Sequence, residues 1–155
     1  MIMIHFPYDW ITGSQSAFLN AFRDDDAKLR RAREFWNSLQ NCEVWLLIGA
    51  IAIGVIFAIL YYTWWNKIAR PGGYHYRIRH WVGFAVVSSI LCFVGSYWLY
   101  DFIVVNKTIN KIAEGFQLNL SMINIAVCFI LYFIISFLWC NWGKTNAYPF
   151  LKFRK

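Results

Sequence analysis

The sequence predicts an all-α integral membrane protein with three transmembrane helices and an amphipathic N-terminal helix. Three apolar runs, residues 44–65, 81–105 and 122–142, each reach the roughly 20 residues that a helix needs to cross a bilayer. The chain is 59% hydrophobic and only 15% charged, whereas a soluble domain carries about 25% charged residues. Backbone groups in lipid must hydrogen-bond within their own segment, so we expect these runs to be helices.

Aromatic residues crowd the ends of the three runs, as at Trp45, Trp64, Trp81, Trp98 and Trp142. This placement is typical of side chains at a membrane–water interface. A chain of 155 residues is too short to shield three such helices from water, which argues against a soluble fold. The segments outside the runs are also too short to form a separate catalytic domain.

Residues 1–43 are predicted to be an irregular start followed by one amphipathic helix, Ser14 to Glu43, with Thr12 or Ser14 as its N-cap. Apolar residues recur in it near the 3.5-residue period of a coiled coil, with Asp25 at the one interrupted position. These residues are Phe18, Phe22, Leu29, Trp36 and Leu39. They predict either a seam between helices of an oligomer or a helix lying on the membrane surface. Nothing in 40–44 breaks the helix, so we expect it to continue into the first span.

The apolar pattern of the second run continues through Ile109 and Phe116, and Gly115 is a candidate C-terminal residue for the helix. We therefore expect residues 106–121 to be a helical extension of the second span and a loop. With three spans, this extension and the N-terminal helix lie on the same side of the membrane. The other side holds the loop 66–80 and the tail 143–155, which carry eight Lys and Arg against seven on the first side. Since basic loops favour the cytoplasm, we expect the loop and tail to be cytoplasmic.

Small and polar residues recur along the spans. Ala50, Gly54 and Ala58 in the first span and Ser89 and Ser96 in the second predict close packing of helices. The third span carries a polar row at every fourth position, namely Asn124, Cys128, Tyr132 and Ser136. This row indicates either packing between helices or the lining of a pore. Asp101, which is the one ionisable residue within the spans, lies either at a pore mouth or in interfacial water.

The loop between the first two spans alternates basic and aromatic residues, including Arg70, Tyr74, His75, Arg77 and Arg79. Such a segment is typical of an anchor on anionic lipid headgroups. Two alternatives remain: a site for a nucleotide or nucleic acid, and a purely structural turn. The sequence predicts no metal site and no cofactor, because two histidines in this region without a nearby carboxylate are too few ligands.

No pairing of nucleophile, base and acid is visible, so the sequence predicts no enzyme. The small-residue stripes, the apolar seam and the polar row favour a homo-oligomeric channel or pore that a ligand could gate. The alternative is an accessory or scaffold subunit that binds partner subunits of a larger membrane complex.

The layout of spans, the helix from Ser14 to Glu43 and the loop Tyr74 to His80 resemble small multi-pass effectors of bacterial antiviral defence systems. The resemblance carries no residue roles with it. It implies a protein of the inner cell membrane that permeabilises this membrane on a nucleotide or oligonucleotide signal. The N-terminal helix or the basic loop would receive that signal.

Overall fold

The computed structural model describes Tyr8 and residues 13–68, 78–109 and 111–142, apart from the side chains of 66–68 and 111–114. Its α-helices are α1 (Gln15–Asn20), α2 (Asp26–Ile59), α3 (Ile78–Ile103) and α4 (Lys111–Trp142), and a π-helix, Leu60–Ile68, continues α2. None of these residues lies in a strand. Three helical stretches, Asp26–Trp65, Ile78–Ile103 and Gly115–Trp142, are long and apolar enough to span a membrane. The predicted all-α, multi-pass membrane fold is therefore confirmed.

The amphipathic N-terminal segment is two helices rather than the predicted single one. Ser14 caps α1 by accepting a hydrogen bond from the Ala17 amide at 3.3 Å. After a turn at residues 21–24, Asp25 caps α2: its Oδ1 accepts from the amides of Ala27 and Lys28 at 3.0 and 3.1 Å. The prediction of one continuous helix was wrong because Asp25, which interrupts the apolar seam, starts a new helix. Carboxylates are favoured at this position by the orphan N–H groups and the helix dipole.

Helix α2 then runs without interruption from Asp26 to Ile59. The continuation of the N-terminal helix into the first span is therefore confirmed. The same helix carries a charged aqueous portion and an apolar membrane portion.

The connection between the second and third spans differs from the prediction. Helix α3 ends at Ile103, and the chain turns at Asn106, whose φ of 54° is left-handed. Asparagine tolerates this conformation better than most residues, and Ile109 N–H donates to the Asn106 carbonyl at 3.1 Å. The predicted extension of the second helix is wrong, because 111–121 begins α4 and Gly115 lies within it.

The described residues belong to two compact units, which we treat separately. Unit 1 is Met1–Gly49 with Phe93–Asn124, and unit 2 is Ala50–Cys92 with Ile125–Lys155. The core of unit 1 is aromatic: the rings of Phe18 and Trp36 lie 5.3 Å apart, and those of Phe35 and Phe116 stack at 6.2 Å. Leu39, Tyr100 and Leu120 complete the buried cluster. We call α1, residues 26–43 of α2 and residues 115–120 of α4 the collar.

The core of unit 2 brings together the end of the first span, the start of α3 and the second half of α4. Tyr62 stacks on Trp139 with ring centroids 5.4 Å apart, and Trp81 lies 5.4 Å from Tyr132. Ala58, Ala85 and Cys140 fill the space between the rings. Large side chains meet small ones here, which suits close helix packing in lipid.

The largest exposed side chains are apolar or aromatic. Trp98, Phe102 and Trp142 are 74%, 89% and 80% exposed. In a soluble protein such residues would be unfavourable, whereas near the ends of spans they meet lipid and headgroups.

Candidate functional site in the buried polar side chains

Asn124 joins three parts of unit 1. Its Nδ2 donates to Ser96 Oγ at 2.8 Å, and the Tyr8 hydroxyl donates to its Oδ1. The Asn124 side chain is fully buried. Because an amide without partners is costly in hydrocarbon, these contacts fix α4 against α3 and against the N-terminal segment at Tyr8.

The polar side chains of unit 2 are also bonded within the chain. Trp81 Nε1 donates to Ser136 Oγ at 3.0 Å, and the Tyr132 hydroxyl donates to the Trp81 carbonyl at 3.2 Å. Cys128 Sγ donates to the Ser88 carbonyl at 3.8 Å. These bonds link α4 to α3 at successive turns of the helix.

The polar row of α4 does not line a water-filled space in this structure. Asn124, Cys128, Tyr132 and Ser136 are each fully buried, and each bonds to another part of the same chain. Of the two interpretations of this row, the contacts within the chain support packing, because facing helices supply the partners that the row needs. The lining of a pore by these four residues stays a prediction.

Asp101 is exposed and paired. Its Oδ1 lies 2.6 Å from Lys107 Nζ, which also donates to the Asp101 carbonyl at 2.6 Å. A cation in this position favours the end of α3, where backbone carbonyls lack helical partners. The pair closes the turn between α3 and α4. The exposure of Asp101 agrees with a place in interfacial water, and a place at a pore mouth stays a prediction.

The small residues of the first span do pack closely. Ala50 and Ala58 are buried, and a Cβ on Gly54 would lie 3.0 Å from the Cys128 carbonyl oxygen and 3.3 Å from Leu131 Cβ. Ser96 is buried against Asn124, whereas the half-buried Ser89 donates to the Ala85 carbonyl of its own helix at 2.8 Å.

The predicted oligomer seam is occupied within one chain. Phe18, Trp36 and Leu39 are buried in the core of unit 1, and Phe22 packs against it, whereas Leu29 is half-buried. Within the chain α1 folds back, and Phe116 of α4 completes the cluster. That these residues join separate copies stays a prediction.

Of the predicted anionic-ligand residues, Arg70, Tyr74, His75 and Arg77 lie outside the described residues. Arg79 is described and exposed at the start of α3. It borders a cavity of about 330 Å³ in unit 2 whose lining includes Phe57, Trp65, His80, Gly83 and Phe84.

Sequence reasoning missed Glu43. The residue is 2% exposed, and glutamate is rarely found so deeply buried. A signal was available: Glu43 follows Leu39 by four positions and Trp36 by seven, so it falls on the apolar face of α2. Among the residues that the structure describes, no three His, Cys, Asp or Glu side chains are grouped to hold a metal ion.

In each unit the polar row of α4 bonds within the same chain. The remaining candidate chemistry lies in two places: the charged collar, which includes the buried Glu43, and the cavity beside Arg79. Comparison with protein-family models, with curated proteins and with solved structures finds no match.

Proposed function

We propose that this chain is a multi-pass scaffold subunit of a larger assembly in the inner cell membrane. The observation that carries the proposal is the use of the whole polar row inside one chain: Asn124, Cys128, Tyr132 and Ser136 are buried and bonded. A polar row that is bonded within its own chain needs no identical copies to shield it; among the described residues Trp36 Nε1 is the one buried side-chain N or O atom without a hydrogen bond. Its outward surfaces are then available to lipid and to other proteins.

The collar supplies the surface for a partner. Residues 26–43 of α2 expose charges of both signs, among them Arg30, Arg31, Arg33 and Glu34. A membrane anchor needs no such portion, yet here an aromatic core holds it in place. Mixed charges on a rigid helix favour a protein partner with complementary charges, because electrostatic complementarity determines register and specificity.

The test is the composition of the complex extracted from native membranes in a mild detergent. We expect a tagged chain to run with a second polypeptide at a fixed ratio. Replacing Arg30 and Arg33 with Glu should release that polypeptide, because both side chains are exposed on the collar. Arg79→Glu makes the same kind of charge reversal at one arginine outside the collar and should leave the complex intact, whereas either Arg30→Glu or Arg33→Glu alone should weaken it. A chain that runs alone from its native membrane contradicts the proposal.

A second candidate function is a homo-oligomeric, ligand-gated pore of the kind found among antiviral membrane effectors. The observation that favours it is Glu43, which is buried where the collar meets the first span, since buried ionisable residues of membrane proteins often mark paths for ions or protons. In this candidate the collar receives a nucleotide or oligonucleotide.

Ion flux through liposomes that contain only this chain tests the second candidate. The pore predicts flux that appears with cyclic dinucleotides or short oligonucleotides and falls in Glu43→Gln. The control is Glu34→Gln, which changes an exposed carboxylate of the collar. Absence of flux with every nucleotide contradicts the pore and leaves the scaffold. Neither role requires catalytic chemistry.

A further inference from the structure

The two units differ sharply in charge. Unit 2 contains eight of the fifteen Lys and Arg and none of the eight Asp and Glu, so unit 1 is close to neutral and unit 2 accounts for the net charge of +7. The sequence of unit 2 therefore supplies no Asp or Glu side chain beside the basic residues that flank the spans. An uncompensated basic group at a membrane interface attracts anionic headgroups.

The cavity of unit 2 lies beside one of these basic residues. Phe57 and Phe84 pack edge to face, with ring centroids 6.3 Å apart, and form one apolar side of the cavity. Gly83 has no atom within 4 Å of where a Cβ would lie, so the cavity is open at this position. The volume of about 330 Å³ is at the low end for small-molecule pockets, which run from about 300 to 1,000 Å³, and it suits a single hydrocarbon chain.

The side chains at the polar end of the cavity contact one another. Trp65 Nε1 donates to His80 Nδ1 at 3.3 Å, and the Trp65 ring lies 5.6 Å from Phe84. Arg79 is exposed next to them at the start of α3, where the helix enters the membrane. The cavity thus joins an apolar interior to a cationic, aromatic rim. Arginine binds phosphate through several parallel N–H donors, and tryptophan favours the headgroup region.

We propose that this cavity is a binding site for an anionic phospholipid. One acyl chain lies along the Phe57 and Phe84 side chains and passes Gly83, and the phosphate group binds Arg79 at the rim. The choice of an anionic lipid follows from charge complementarity, because unit 2 has no acidic residue.

The test is native mass spectrometry of the full chain in a neutral detergent with phosphatidylglycerol or phosphatidylcholine of identical acyl chains. We expect phosphatidylglycerol to be retained about fivefold more strongly, as one basic residue near an anionic headgroup provides. Arg79→Gln should abolish this preference without preventing lipid binding. Gly83→Leu should reduce the retention of both lipids because the new side chain occupies the opening.

Two variants provide matched controls. Gly95→Leu alters another exposed glycine of α3, at which an added Cβ would meet no atom within 4 Å. Arg33→Gln removes a charge from the collar. Both should bind lipid like the native chain. The proposal is overturned if Arg79→Gln keeps the preference, since the headgroup then binds other basic residues. It is also overturned if Gly83→Leu retains both lipids, or if the native chain does not distinguish them.

Discussion

Gly54→Ala should destabilise the protein even though alanine is the better helix former. The added Cβ would lie 3.0 Å from the Cys128 carbonyl oxygen and 3.3 Å from Leu131 Cβ. The first of these neighbours is a backbone atom and cannot rotate away, so α4 itself has to move. Gly49 in the same helix is the matched control, because its Cβ would meet no atom within 4 Å.

The magnitude follows from two opposing effects. Replacing glycine with alanine within a helix stabilises by about 1 kcal/mol, and this gain is common to both sites. Overpacking a close contact costs roughly 1–3 kcal/mol, and only Gly54 has such a contact. We therefore expect Gly54→Ala to have a free energy of unfolding about 1–3 kcal/mol below that of Gly49→Ala, with helix propensity cancelling from the comparison.

The assay is unfolding of the detergent-solubilised chain by titration with sodium dodecyl sulfate, followed by the fluorescence of its nine tryptophans. Both variants are compared with the native chain under identical conditions. If Gly54→Ala proves as stable as Gly49→Ala or more so, then α2 and α4 do not approach each other closely at this point, and the reasoning fails.

Three further predictions use the same preparation. Asn124→Leu should lower the free energy of unfolding by about 0.6–1.7 kcal/mol, the range for hydrogen bonds between membrane helices, because Ser96 loses its buried partner; an unchanged stability would contradict its role in packing. The amide and the side chain of Lys28 both hydrogen-bond to Asp25 and lower its pKa. The ionised cap therefore stabilises α2 fully at pH values above the unfolded pKa of about 3.9. This stabilisation is lost as the pH falls through the folded pKa. The protection factors of the first amides of α2, in which observed exchange is corrected for the intrinsic rate at each pH, should therefore fall at acid pH, and Asp25→Asn, which keeps a cap that does not titrate, should show no such fall. Gly115→Ala should raise the free energy of unfolding by up to about 1 kcal/mol in the same titration, since Gly115 is exposed inside α4. A lower free energy of unfolding would instead support the prediction that a helix ends at Gly115.

Hydropathy predicted the spans well because a membrane helix depends on its own composition and length. Hydropathy was less informative about the residues at which helices begin and end outside the spans. The turn at Asn106 was missed since Ile109 and Phe116 continue the apolar pattern, although asparagine is a common residue at helix ends. Asp25 likewise interrupts the apolar seam in the sequence, but in the structure its carboxylate caps the start of α2.

Periodicity shows that a face is buried, but not what buries it. Phe18 and Trp36 recur as in a coiled coil, yet their partner is Phe116 of the same chain. The polar row of α4 was open to two interpretations for the same reason. Its partners, Ser96 and Trp81, are on α3, and the pattern of one helix does not determine the rotation of its neighbour.

The cysteines give this protein a practical property. Cys42, Cys92, Cys128 and Cys140 are all buried thiols, so a water-soluble maleimide should label the folded chain slowly and the unfolded chain quickly. The native sequence thereby reports its own unfolding without any introduced probe. It also provides a low background for single cysteines placed in the loop or the tail. Their labelling from either side of sealed vesicles would establish the direction in which the chain crosses the membrane.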